Sequence, residues 1–366
     1  MGAWLPLAGL KVVAVEQAVA APFCTARLAD AGAEVIKIER PEGDFARGYD
    51  DVAAGQSSYF VWLNRGKQSR VVDLACAAGK ALLAELIGDA DILVQNLKVG
   101  ALDRLGFSTS ALCARHPRLI ACSISGYGSV GAMAGRKAYD LLVQAESGLA
   151  SVTGGPDAPS RVGISIVDIA TGATAHAAIL EALIARGIHG RGADISVSMF
   201  DVIAEWLTVP LLHEEAGRSP QRMGLAHPSI APYGVFACKD GAQILVSIQS
   251  DREWAALANG VLHDPSLISD TRFSSNVGRV RHRVQTDAFV AEALAGLSAQ
   301  QAVKRLISAD VAFATLNDMA ALSRHPNLRR VSIDTPGGTV CLPAPAPIFA
   351  GFDRDLGAVP ALIEER

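Results

Sequence analysis

The order of the first forty residues constrains this chain more than any other feature. Residues 10–15 are a short apolar run rich in β-branched side chains. Residues 22–31 carry a helical pattern, and residues 34–39 form a second apolar run closed by Arg40-Pro41. Strand, helix and strand of these lengths make a β-α-β unit, whose two strands are normally parallel. The rhythm continues: residues 71–74, 92–94 and 119–125 read as strands, with a helix over 79–87. Alternation of this kind predicts an α/β fold with a doubly wound parallel sheet.

Further on, residues 138–149 read as an amphipathic helix, and Thr153-Gly-Gly-Pro156 breaks the chain with turn residues. Residues 162–167 read as a strand, with Asp168 starting a long helix. A strand over 193–197 and a helix over 198–214 come next. Beyond Gly217 the pattern changes. Residues 233–236 and 243–247 read as a hairpin around Lys239-Asp-Gly241, then charged helices run to about residue 323. From Arg329 the chain is rich in Pro and Gly and reads as an extended return segment. At 366 residues the length fits two domains. The expected division is a large domain over 1–216, a smaller α+β domain over 217–325, and a C-terminal segment over 326–366 that packs on the large one.

The formal net charge of −4 favours neither nucleic acid nor an anionic membrane as partner, and leaves room only for a local basic pocket. The six cysteines show no C-x-x-C spacing and no clustered histidines, which argues against a zinc site or disulfide framework and fits a reducing cytoplasm. The start lacks a basic region followed by a long apolar stretch, so no secretory signal is expected. The most apolar helical stretch, 170–185, contains Thr171, Thr174, His176 and Glu181. It falls short of the ~20 apolar residues that span a bilayer and reads as a buried helix.

Three features could carry chemistry. Gly126-Tyr-Gly-Ser-Val-Gly131 matches G-x-G-x-x-G after an expected strand, with Glu146 twenty residues past Gly126. A dinucleotide site needs a helix opening on those glycines. The next residues are Ala-Met-Ala-Gly-Arg-Lys, without apolar periodicity, and the turn of the first β-α-β unit, residues 16–22, has no glycine to admit a pyrophosphate. The segment reads as a flexible loop or as a mobile loop covering an acyl group. Asp168 stands where ligands gather in open α/β sheets, outside a strand's C-terminal end. It would equally serve as a helix N-cap, and the two roles can coexist. The basic residues Arg40, Lys67, Lys98, Arg104, Arg136 and Lys137 are solvated one by one or converge on a phosphorylated ligand; Arg40 and Lys98 each come shortly after an expected strand. The eight histidines show no metal-ligand spacing, and no G-x-S-x-G elbow supports a hydrolase triad.

Together these segments resemble the family III CoA-transferases, the group of formyl-CoA, carnitine and bile-acid CoA-transferases. The resemblance covers nearly the whole chain. It rests on residues 10–22, on Gly32-Ala-Glu-Val-Ile-Lys-Ile-Glu-Arg-Pro41 with Gly43-Asp44 and Arg47, and on Asn64-Arg-Gly-Lys67. Residues 91–96, Leu105-Gly106, Ser125-Gly-Tyr-Gly128, Tyr139-Asp-Leu-Leu-Val-Gln-Ala145 and Asp168 complete it. It implies a Rossmann-like large domain with a parallel sheet, a smaller α+β domain and an interlocked homodimer. It implies coenzyme A as substrate and product, with no metal or redox cofactor, and Asp168 as catalytic nucleophile. Val19, Arg40, Val72, Asn96, Leu97, Arg104 and Lys137 match the family's CoA contacts. Tyr139 and Asp140 match active-site neighbours, where formyl-CoA transferase has Glu at the Asp140 position and Gln at the Val19 position. That enzyme's later glycine-rich loop has no obvious counterpart.

The resemblance further implies a subgroup acting on small C4–C5 dicarboxylates of the mesaconate, itaconate, citramalate and succinate type, with Arg222 or His227 as candidate holders of the second carboxylate. A bland reading makes Arg222 a surface residue and packs His227 against Pro228. The tetrahedral oxyanion would be met by amides of the 126–131 loop or by that of Ile169. Two alternatives share the fold. A racemase acting at the acyl α-carbon usually has a His directly before the residue aligned with Asp140; here that residue is Tyr139, whose ordinary pKa of about 10 makes a poor base near neutrality. A non-catalytic CoA-binding relative would be expected to lack the nucleophile, which this chain keeps.

Overall fold

The computed structural model describes residues 5–350, 354 and 356–362. Residues 1–4, at the start of the segment read for a secretory signal, and parts of the return segment lie outside that set. The chain divides into two compact units: residues 1–150, 161–212 and 329–366 make the first, and residues 151–160 and 213–328 the second. Residues 151–160 thus cluster with the second unit, whereas the sequence places them in the large domain. Their backbone explains it. The Gly154 carbonyl accepts from the Gly224 amide at 2.9 Å, and three neighbouring carbonyls accept from Arg222.

The first unit is built on six parallel strands: β1 (Lys11–Val15), β2 (Glu34–Glu39), β3 (Lys67–Val71), β4 (Ile92–Gln95), β5 (Ile120–Ser125) and β6 (Asp194–Ser198). Their order is β3-β2-β1-β4-β5-β6, so the sheet reverses direction of growth between β1 and β4. The helices are α1 (Ala20–Asp30), α2 (Ser58–Asn64), α3 (Ala77–Gly88), α4 (Ala101–Arg104), α5 (Thr109–Arg115), α6 (Asp140–Glu146), α7 (Leu149–Val152), α8 (Ile166–His189), α9 (Met199–Trp206) and α10 (Thr208–Glu215).

Strand alternation makes two cores from one sheet. Val12 and Ala14 of β1 face a cluster with Val35, Ile92, Val94 and the inner sides of α1 and α8. Val13 and Val15 face the opposite cluster, with Ile36, Ile38, Leu93 and residues Leu83 and Ile87 of α3. Helices α1 and α8 meet closely because Gly172 has no side chain; a Cβ there would sit 2.4 Å from the Ala20 carbonyl oxygen. That contact brings the start of α8 to the loop after β1.

Several boundaries differ from the expectation. Strand β3 covers Lys67–Val71 rather than 71–74, because its polar residues are paired rather than solvated. Residues 162–165 form no strand, and α8 begins at Ile166. The helix expected over 198–214 is two helices interrupted at Leu207. The return segment contains an antiparallel hairpin, β10 (Arg330–Thr335) with β11 (Gly338–Pro343).

The second unit has its own core around Trp254, Leu257, Val290 and Leu306. Its sheet joins β7 (Tyr233–Ala237), β8 (Gln243–Ser247) and β9 (Ala312–Thr315), all antiparallel. The β7–β8 hairpin matches the sequence pattern; β9 has no counterpart in it.

Candidate active site

The loops after β1 and β4 leave the sheet on either side of its reversal point, the place where α/β sheets open a crevice. There Asn96 clamps the first loop from both sides: its Oδ1 accepts from the Gln17 amide at 2.9 Å, and its Nδ2 donates to the Gln17 carbonyl at 2.8 Å. Ala18 is thereby held at φ +62°, in the left-handed region, with its amide donating to Asp44 Oδ1 at 3.2 Å. The two loops, the segment 134–141 and the start of α8 enclose a cleft of about 630 Å³, within the range of small-molecule sites.

Asp168 lines this cleft from the first turn of α8. It is not the N-cap. Ser165 holds that position without a side-chain capping bond, and the cap is supplied from α6 instead. Asp140 Oδ1 accepts from the amides of Val167 at 2.7 Å and Asp168 at 3.4 Å. The Asp168 carboxylate therefore stays free of its own helix, and among the described residues no donor or cation engages it. Burial, reinforced by the negative charge of Asp140, raises its pKa to about 7.

Aromatic residues form one wall of the cleft. Phe45, Tyr49 and Tyr59 pack in a tilted and edge-to-face series at 5.8 and 5.5 Å, and the Tyr59 hydroxyl lies 3.4 Å from Ser165 Oγ. Burial, with the nearby charges of Asp44 and Asp168, pushes the Tyr49 hydroxyl up to about 12, so it remains a donor. Sequence reasoning missed all three aromatics and Ser165; Phe45 and Tyr49 come from one short turn after β2, Tyr59 from α2 and Ser165 from the residue before α8, so no single motif marks them.

The structure gathers Val19, Asn96, Leu97, Lys137, Tyr139, Asp140 and Asp168 around one cleft, with Lys98 and Arg136 beside them. Arg40, Val72 and Arg104 lie outside its lining. Arg40 is exposed and donates to the Gly43 carbonyl at 3.0 Å; Val72 is buried; Arg104 is exposed on α4. Lys67 is no ligand contact. Its ammonium is fully buried and paired with Glu16 Oε1 at 2.7 Å. The segment 126–131 opens no helix, which removes the dinucleotide reading. Its Gly126 is needed instead for close packing, since a Cβ there would collide with the Ala138 side chain. Of the amides expected to meet an oxyanion, Ile169 donates to the Ser165 carbonyl and Gly128 to Ser125 Oγ.

His227 and Arg222 belong to the second unit. His227 stacks on Tyr233 at 5.4 Å, and its Nδ1 accepts from the Ser229 amide. The Arg222 guanidinium donates to the carbonyls of Ser151, Gly155 and Pro156. Both side chains hold backbone of their own unit.

A doubly wound parallel sheet with a ligand-sized cleft at its switch point, lined by a carboxylate without a cation among the described residues, defines an α/β fold of the ligand-binding class. The CoA-transferase family III profile matches residues 7–350. The acetyl-CoA:oxalate CoA-transferase of Acetobacter aceti is 36% identical, with 95% of this chain and 90% of that protein covered. The succinate–glutarate CoA-transferase of Agrobacterium fabrum is 33% identical over 94% and 89%. The succinyl-CoA:mesaconate CoA-transferase of Haloarcula marismortui is 29% identical over 90% and 85%. Among solved structures, a CAIB/BAIF family protein from Brucella suis superposes with a TM-score of 0.80 at 34% identity, covering 98% and 96% of the two chains. The chain belongs to the family III CoA-transferases.

Proposed function

We propose that this enzyme moves CoA between a CoA thioester and a small dicarboxylic acid, with Asp168 as the covalent nucleophile. The observation that carries the reading is the placement of Asp168: in the switch-point cleft, beside Asp140, with no cation or hydrogen-bond donor among the described residues to neutralise it. The relatives named for oxalate, glutarate and mesaconate support a dicarboxylate as the acid.

In this reading an Asp168 oxygen attacks the donor thioester carbonyl, the C–S bond breaks, and an aspartyl–acyl anhydride forms with CoA thiolate. The thiolate attacks the Asp168 carbonyl and releases the donor acid, leaving an aspartyl–CoA thioester. The acceptor carboxylate then attacks that carbonyl and releases the thiolate, which takes the acyl group from the new anhydride. Asp168 returns as a carboxylate. The Tyr49 hydroxyl offers a donor to the charge that develops at each tetrahedral step. Asn96 holds the loop against which the thioester arm lies, beside Val19 and Leu97. Arg40, Arg104 and Lys137 receive the phosphates, and buried Val72 backs that path from the end of β3. Tyr139 flanks the acyl group from the residue before Asp140. No histidine is among the residues lining the cleft, which favours transfer over α-carbon racemisation.

The second copy of a homodimer would cover α9 and α10, where Trp206, Val209, Leu211 and Leu212 are exposed. The test of the activity is CoA exchange between succinyl-CoA and a panel of dicarboxylates in deuterated water. New acyl-CoA without α-deuterium supports the proposal; α-deuterium in the recovered donor without exchange contradicts it.

A further inference from the structure

The lead-in to α8 has no regular structure and no cap of its own. What fixes it is one buried amide side chain. Gln144 of α6 is fully buried. Its Nε2 donates to Asp140 Oδ2 at 2.6 Å, and its Oε1 accepts from the Val162 amide at 2.9 Å. Asp140 in turn holds the amides of Val167 and Asp168 through its other oxygen. The amide orientation is dictated by chemistry: only the NH₂ group can face a carboxylate, and only the oxygen can face a backbone N–H.

We infer that Gln144 is a positioning residue that sets the pose of the Asp168 nucleophile. It clamps the lead-in at both ends, directly at Val162 and through Asp140 at Val167 and Asp168. Without its donor, Asp140 Oδ2 is a buried carboxylate oxygen lacking a partner, and the cap on α8 is free to swing. Residues 17–19 and 96–98, which line the CoA side of the cleft, make no bond to Gln144, so binding and chemistry should separate. The inference rests on the proposal that Asp168 is the nucleophile.

The test compares wild type with Gln144→Leu and Gln144→Glu. Leu removes both bonds at similar volume. Glu keeps the acceptor for Val162 but sets a second carboxylate against Asp140. The expected result for both is a kcat lower by about 10²-fold, the cost of a misplacement near 1 Å, with KM for succinyl-CoA within about 3-fold of wild type. Hydroxylamine trapping of Asp168 should slow in parallel with kcat. A folded variant with wild-type kcat and trapping rate overturns the inference. Loss of folding in both variants overturns it as well, because the role is then structural. Absence of any wild-type adduct at Asp168 would instead overturn the nucleophile proposal, which keeps the two failures apart.

Discussion

Two groups of buried charges in the first unit use the same residue types to opposite ends. Behind β1 and β2, every carboxylate has a cation. Glu16 meets Lys67 at 2.7 Å and Lys37 at 3.6 Å, Asp44 meets Lys37 at 2.8 Å, and Glu39 meets Arg47 at 2.7 Å. Thr25 and Ser69 satisfy further oxygens of Glu16 and Glu39. Burial opposes ionisation there; at Glu16 and Glu39 the paired charges win, whereas burial still pushes the Lys67 ammonium down to about 8. The Glu16 carboxyl is held below its usual range, and Arg47 and Ser69 hold Glu39 near 2. At the start of α8, burial acts on Asp168 without a cation to oppose it, and Asp140 adds a like charge. A matched network stays ionised and rigid and ties the Ala18 backbone in place through Asp44. An unmatched carboxylate is costly to ionise and correspondingly reactive once ionised.

The predictions break this contrast in turn. Asp168→Ala removes the unmatched group, and CoA transfer should fall by at least ~10⁴-fold in kcat with the fold retained, as measured by exchange assay and circular dichroism. Lys67→Met breaks the matched network and leaves Glu16 with the Thr25 hydroxyl and the more distant Lys37 ammonium at 3.6 Å. Unfolding in urea should show a loss of about 3–5 kcal/mol, the cost of stranding a buried charge.

Asp168→Asn keeps the shape of the unmatched site and deletes its charge. A carboxyl whose folded pKa is raised contributes stability below its unfolded pKa of about 4 and loses it as pH rises through the folded value, about 7. The variant should therefore match wild type near pH 4 and exceed it at pH 8 by about 1–3 kcal/mol, discounted for residual water contact. The network has the opposite sign: Glu39 contributes stability above its ordinary value and loses it as pH falls toward 2. Asp140→Asn removes the like charge while an amide oxygen can still cap α8. In the proposed reaction the acid limb of the kcat–pH profile follows ionisation of Asp168, and it should move down by about one unit from its wild-type position near 7.

How far the sequence can be read obeys the same division. The β1–α1–β2 unit is legible because its pattern is local and both strands stay rich in β-branched residues, Val12, Val13 and Val15 in β1 and Val35, Ile36 and Ile38 in β2. Strand β3 starts four residues earlier than its apolar pattern suggests, because Lys67, Gln68, Ser69 and Arg70 look solvated in one dimension. Lys67 loses that character through partners that include Glu16, fifty-one residues away, and the Pro22 carbonyl. The alternating apolar residues 162–167 resemble a strand, yet they have no sheet to join and are fixed by α6 side chains instead. Asp168 and Asp140 are legible as a pair through resemblance. Their uncompensated state is not, because it depends on which side chains fail to arrive.

The most direct test of Asp168 as the nucleophile is intact mass of the enzyme after mixing with succinyl-CoA and hydroxylamine, which converts an activated carboxyl to a hydroxamate with a gain of about 15 Da. Wild type should show that gain, mapped by peptide fragmentation to Asp168, and Asp168→Ala should show none. A wild-type enzyme that exchanges CoA with no adduct, or with the adduct on another residue, would contradict it.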